Sequence, residues 1–134
     1  MRALAIFIAV LSALPVTEVE ETANSYRFEK VQLDAALCRA AQDHADYMAR
    51  TGDFAHTGAN GSPMGRAKKC GYKGGYVTEN ISWNTLNPWP HWKNSPSHYK
   101  NMTDPNVDIF GYGESVDSTG QAYCVCMYAK KVTQ

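Results

Sequence analysis

A surplus of either charge is missing from this chain: 13 Lys and Arg are balanced by 13 Asp and Glu. The richest cationic stretch is only Arg66-Ala67-Lys68-Lys69. That is too little to neutralise a run of phosphates, so nucleic acid is not an expected partner. No apolar run reaches the ~20 residues a membrane-spanning helix needs. There is no Cys-x-x-Cys knuckle, no His-Glu-x-x-His helix and no Gly-x-Ser-x-Gly elbow. The zinc-ribbon, zincin and α/β-hydrolase patterns are therefore absent. Internal repeats and low-complexity tracts are also missing, and 134 residues leave room for one domain and a leader.

What is present begins with that leader. Arg2 is followed by an uncharged apolar run from Ala3 to Val16. One positive charge before a short apolar stretch fits a secretory signal peptide, expected over residues 1–17. An acidic lead-in follows at 18–23, carrying Glu18, Glu20 and Glu21, and the domain proper is expected over 24–134. Export predicts a secreted protein, extracellular or periplasmic, with no transmembrane segment once the leader is removed. In such a compartment the four cysteines, Cys38, Cys70, Cys124 and Cys126, suggest two disulfides. Cys124 and Cys126 would sit two apart on one strand, so each is expected to reach Cys38 or Cys70 rather than the other. A four-cysteine zinc site and free buried thiols are the alternatives.

Apolar spacing at Leu37, Ala40, Ala41, Ala45 and Met48 predicts a helix capped by Asp34 and ended by Gly52. His44 lies at the edge of that stripe and is expected to be a packed, hydrogen-bonded histidine. Ser62-Pro63 predicts a short helix towards Cys70, and Ser95-Pro96 another through His98. Tyr76 to Trp83 alternates as a strand, with Glu79 on an otherwise apolar face. Pro88 and Pro90 break up the segment from Asn84 to Lys93. Val107–Val116 and Gln121–Lys131 predict a hairpin around Asp117-Ser118-Thr119-Gly120. Helices early and paired strands late predict an α+β domain.

The chemistry-bearing candidates are His56 in Phe-Ala-His-Thr-Gly, Glu79 in Thr-Glu-Asn-Ile-Ser and His98 in Ser-Pro-Ser-His-Tyr-Lys-Asn-Met. Imidazole nitrogen and carboxylate oxygen are the donors that hold a zinc-like cation. His56 and His98 are the expected metal ligands, and Glu79 the expected partner that ligates or orients a water. Trp83 and Trp92 are expected in the core, and Trp89 exposed.

Taken in order, these stretches resemble the CAP superfamily, the SCP-like extracellular domains, in its compact bacterial form. The carrying motifs are the helix 33–49, Phe-Ala-His-Thr-Gly (54–58), Cys-Gly-Tyr (70–72), Glu-Asn-Ile (79–81), Trp-Lys-Asn-Ser-Pro-Ser-His-Tyr-Lys-Asn-Met (92–102) and Gly-Tyr-Gly (111–113). Asn24 and Arg27 match the family's Asn-x-x-Arg pattern. The resemblance implies an α-β-α sandwich with an antiparallel sheet between helical layers. It also implies a cleft lined by two histidines and two acids, matched by His56, His98 and Glu79. The segment from Asn84 to His91 contains no carboxylate to match the family's second glutamate.

The expected function is extracellular binding of a lipid, peptide or protein ligand through a His56–Glu79–His98 cleft. Zn2+ or another divalent cation is the expected cofactor, with no organic cofactor, and the chain is expected to act as a monomer. The alternative is a metal-assisted hydrolase of peptides or cell-envelope material, in which Glu79 would be the general base. A third reading is a structural module in which all three residues serve packing.

Overall fold

The computed structural model describes residues 16–133. Helix α1 (Val16–Asn24) leads into a short strand β1 (Gln32–Leu33) and the long helix α2 (Ala35–Thr51). Helix α3 (Pro63–Lys69), strand β2 (Val77–Trp83) and helices α4 (Trp89–Lys93) and α5 (Pro96–Met102) follow. Strands β3 (Ile109–Val116) and β4 (Ala122–Ala129) close the chain. The expected leader lies outside the described residues, except for its last two positions. The acidic stretch at 18–23 falls inside α1 and belongs to the packed body. There Glu20 accepts the Leu33 backbone N–H at 2.8 Å, and Ala23 is buried.

The four strands form one sheet in the order β1-β3-β4-β2. The β2–β4 and β3–β4 pairs are antiparallel, while the two residues of β1 run parallel to β3. β1 is thus the one departure from the expected antiparallel sheet. Alternation along β4 sorts the core into two layers. Val125 and Met127 pack with Leu37, Ala40, Ala41 and Met48 of α2. Cys124, Cys126 and Tyr128 face the opposite layer, with Ala23, Trp92 and Met102. Helical layers on both faces of the sheet make the α-β-α sandwich.

The elements form where the local chemistry expects them. Asp34 caps α2 by accepting the Leu37 N–H, and Gly52 ends it in a left-handed conformation at φ 76°. Ser62 caps α3 in the same way, by accepting the Gly65 N–H. Ser95 does not cap α5; its hydroxyl engages His98 instead. The proline-rich segment still makes one turn of helix, α4, because Pro90 sits in the first turn, where no intrahelical N–H is required.

Two expectations are corrected. The two disulfides are not formed: Cys38, Cys70, Cys124 and Cys126 are all free. The sheet itself separates them. Cys124 and Cys126 lie in the layer away from α2, whereas Cys38 is on α2 and Cys70 follows α3, which packs on α2. Burial pushes the Cys124 thiol up to about 12 and Cys126 higher still, so both are protonated and inert at neutral pH. The tryptophans are also exchanged. Trp89 is buried, stacked on Tyr112 and edge-on to Trp92, while Trp83 is 53% exposed. Trp83 ends the edge strand, where neighbouring elements leave half of its surface to water.

The Gly-Tyr-Gly stretch has a direct steric cause. A Cβ on Gly111 would collide with the Leu37–Cys38 peptide, and one on Gly113 with the Gln42 backbone. These glycines let α2 lie directly on β3. Gly111→Ala is expected to lower unfolding free energy by about 2 kcal/mol or more, since rigid backbone has to move, as measured by urea denaturation.

Candidate functional site

The site grows from two consecutive residues of β2. On a strand, neighbours point to opposite faces, so Glu79 points into the α2–α3 layer and Asn80 into the α4–α5 layer. Because β2 is an edge strand, groups held on either face can approach one another around its open side.

On the α2 side the Glu79 carboxylate is 1% accessible and carries two partners. Its Oε2 accepts from Arg66 Nη2 at 2.7 Å, and its Oε1 accepts from His56 Nδ1 at 2.8 Å. Arg66 is itself buried, and its Nη1 donates to the Gly61 carbonyl. A carboxylate paired with a guanidinium is an acceptor only, so His56 Nδ1 carries a proton and Nε2 is left as the ring nitrogen not engaged by Glu79. The His56 side chain is 50% exposed.

The loop carrying His56 is tied down by His44. His44 is fully buried; its Nε2 donates to the Ala55 carbonyl at 2.8 Å, and its Nδ1 accepts from Asn60 Nδ2 at 2.9 Å. Burial holds its pKa below the usual imidazole value, outweighing the nearby Glu79 charge. The expected packed role of His44 is what the structure contains.

On the other side Asn80 Nδ2 donates to the His98 carbonyl at 3.0 Å. Asn101 Nδ2 donates to Asn80 Oδ1 at 2.8 Å and to the Glu79 carbonyl at 3.3 Å. These bonds clamp α5 to the strand. His98 Nδ1 is within 2.8 Å of Ser95 Oγ, which leaves Nε2 free of that contact. Burial lowers the His98 pKa first, and the neighbouring charges of His91 and His56 lower it further. Among the described residues, no three His, Cys, Asp or Glu side chains converge in a metal-holding arrangement. Glu79 serves His56 rather than facing the open side.

Sequence reasoning named His56, Glu79 and His98 but missed Arg66, Asn80, Asn101 and the role of Ser95. A carboxylate on an apolar strand face signals the need for a buried cation. Arg66 on the Ser62-capped helix was the available one. Nothing local marked Asn80 and Asn101 as a pair.

The model of the CAP, or cysteine-rich secretory protein, family matches residues 23–128, and the chain belongs to that family. No curated protein sequence matches the chain significantly. Among solved structures it is similar to an outer surface protein from Borrelia burgdorferi, at TM-score 0.70 and 20% identity over 93% of this chain and 92% of that one. It is also similar to an extracellular protein containing an SCP domain from Bacillus anthracis, at TM-score 0.69 and 18% identity, covering 78% of this chain but 35% of that one. A structure of NaASP2 with Zn2+ aligns at TM-score 0.61 and 14% identity, over 87% of this chain and 80% of that one. At these identities the likeness speaks for the fold. No helix among the described residues is long and apolar enough to cross a membrane.

Two outcomes are expected. Glu79→Ala leaves the Arg66 guanidinium buried without its counter-charge and should cost about 3 kcal/mol or more in urea denaturation. Stability should also fall as pH is lowered through about 6.5, the unfolded imidazole value. Unfolded His44 takes up a proton there while the folded residue resists it, and the loss ends below the lowered folded pKa. Imidazole NMR titration should find His44 neutral at a pH where an exposed histidine is half protonated.

Proposed function

We propose that this chain is a secreted binding module whose functional group is the imidazole pair His56 and His98. Each ring would present Nε2 to a divalent cation, Zn2+ being the best match to nitrogen donors, or to a polar group of a lipid, peptide or protein ligand. The observation that carries this reading is the Glu79–His56 hydrogen bond at 2.8 Å, which holds the ring by Nδ1 and leaves Nε2 not engaged by Glu79. Carboxylate-oriented histidine is the usual support of a metal-ligating ring. Ser95 would do the same for His98.

With two protein donors, solvent or ligand atoms would complete the coordination shell. A bound cation would supply a Lewis acid at the open side of β2. Glu79 has both oxygens engaged and 1% of its surface open, which supports an orienting role over that of a general base. For this reason binding is preferred to the hydrolase reading. The similarity to a surface protein and to an extracellular protein supports secretion, as does the expected leader. NaASP2 has been solved with Zn2+, which supports the choice of ion.

Calorimetric titration of the protein with ZnCl2 tests this reading. Wild type is expected to bind one ion per chain, and the His56→Ala, His98→Ala double variant to lose that binding. Ser95→Ala, which frees the His98 ring, should weaken it by roughly tenfold. Zinc binding unchanged in the double variant would rule the histidine pair out.

A further inference from the structure

At the end of the sheet nearest the β3–β4 turn lies a cavity of about 440 Å³, apart from the Glu79 carboxylate and its partners. Its walls come from three places: the α2 terminus at Gly52, the loop at Phe54, and the turn carrying Asp117, Thr119 and Gln121. Trp83 and Tyr123, paired across β2 and β4, complete it. Phe54 and Trp83 are 45% and 53% exposed. Their ring centroids lie 6.3 Å apart and the planes are inclined at 43°, so the two rings splay around the opening.

The polar side of this cavity has one sign. Asp117 Oδ1 accepts three hydrogen bonds, from the Thr119 hydroxyl at 2.7 Å, the Thr119 N–H at 2.8 Å and the Gln121 N–H at 2.9 Å. Its Oδ2 takes none from the described residues. The Thr119 hydroxyl first, then the backbone donors, holds this carboxyl below its usual range, so it is ionised at neutral pH. The C-terminal end of α2 adds the negative pole of a 17-residue helix. No Lys, Arg or His lines the cavity. Aromatic faces attract cations through their quadrupole and accept the apolar stem of a long side chain. A neutral ligand would gain nothing from the ionised oxygen. A quaternary ammonium would supply charge but no N–H for Oδ2.

We propose that this cavity is a binding site for a lysine or arginine side chain of a peptide, with the charged N–H group at Asp117 Oδ2 and the stem lying against the exposed faces of Phe54 and Trp83. The site stands independently of the histidine pair.

The test is NMR titration of the protein with acetylated, amidated Gly-Lys-Gly and Gly-Arg-Gly. The norleucine peptide and tetramethylammonium chloride serve as comparison ligands, and the Trp83 indole N–H is the reporter. The basic peptides are expected to bind at least about tenfold more tightly than either comparison ligand. Asp117→Asn keeps an Oδ1 acceptor for the turn and removes the charge, and should weaken basic-peptide binding by about tenfold. Phe54→Ala removes one aromatic wall, keeps the Trp83 reporter, and should weaken basic-peptide binding by about tenfold. Equal binding of the norleucine peptide, no effect of Asp117→Asn, or no saturable shift with any basic peptide would each overturn the proposal.

Discussion

The two-residue period of one edge strand organises this molecule's candidate site. Glu79 and Asn80 are adjacent in β2 and therefore face opposite layers. One reaches His56 through a side-chain contact, and the other reaches the helix of His98 through a backbone carbonyl. An interior strand would keep the two layers apart. An edge strand leaves its unpaired side open, so groups held on the two faces are not walled off from each other by a further strand. A slip of one residue in the β2–β4 register would exchange the faces and scatter both attachments.

The strand is held in that register by burial on both sides. Glu79 carries the costliest group, an ionised carboxylate with almost no solvent contact, and Arg66 supplies its counter-charge from α3. A pair of this kind is poor evidence of extra stability, because desolvation offsets much of the attraction. Its value lies in geometry: both carboxylate oxygens have one arrangement of partners, and the His56 ring inherits a fixed orientation from it. His44 and Asn60 fix the same loop from beneath. The core does without covalent staples among the described residues. Close backbone packing of α2 on Gly111 and Gly113 is part of what holds the layers together.

Local signals carried much of the architecture. Asp34, Ser62 and Gly52 act where their side chains or conformational freedom can act, within a turn of the chain. Alternation in β4 sorts its side chains onto two faces, and packing adds which of them meets α2. The reading failed where the outcome depends on what lies across space. Cys124 and Cys126 were expected to reach Cys38 or Cys70, but strand parity does not say which layer holds the partner helix. Trp83 was placed in the core from its strand position, yet edge placement leaves it exposed. Ser95 has a capping residue's chemistry but spends its hydroxyl on His98, a neighbour only three positions away.

The chain's own order of residues determined its class, its main helices and strands, and the identity of the three chemistry-bearing side chains, since caps, periodicity and motif spacing act over a few residues. Folding alone decided that Glu79 is a buried support for His56 rather than an open acid, that Arg66 is its counter-ion, and that aromatic and acidic groups from three segments share a cavity at the sheet's end. Those outcomes depend on distances between residues far apart in the chain, and such distances are set by which faces pack together.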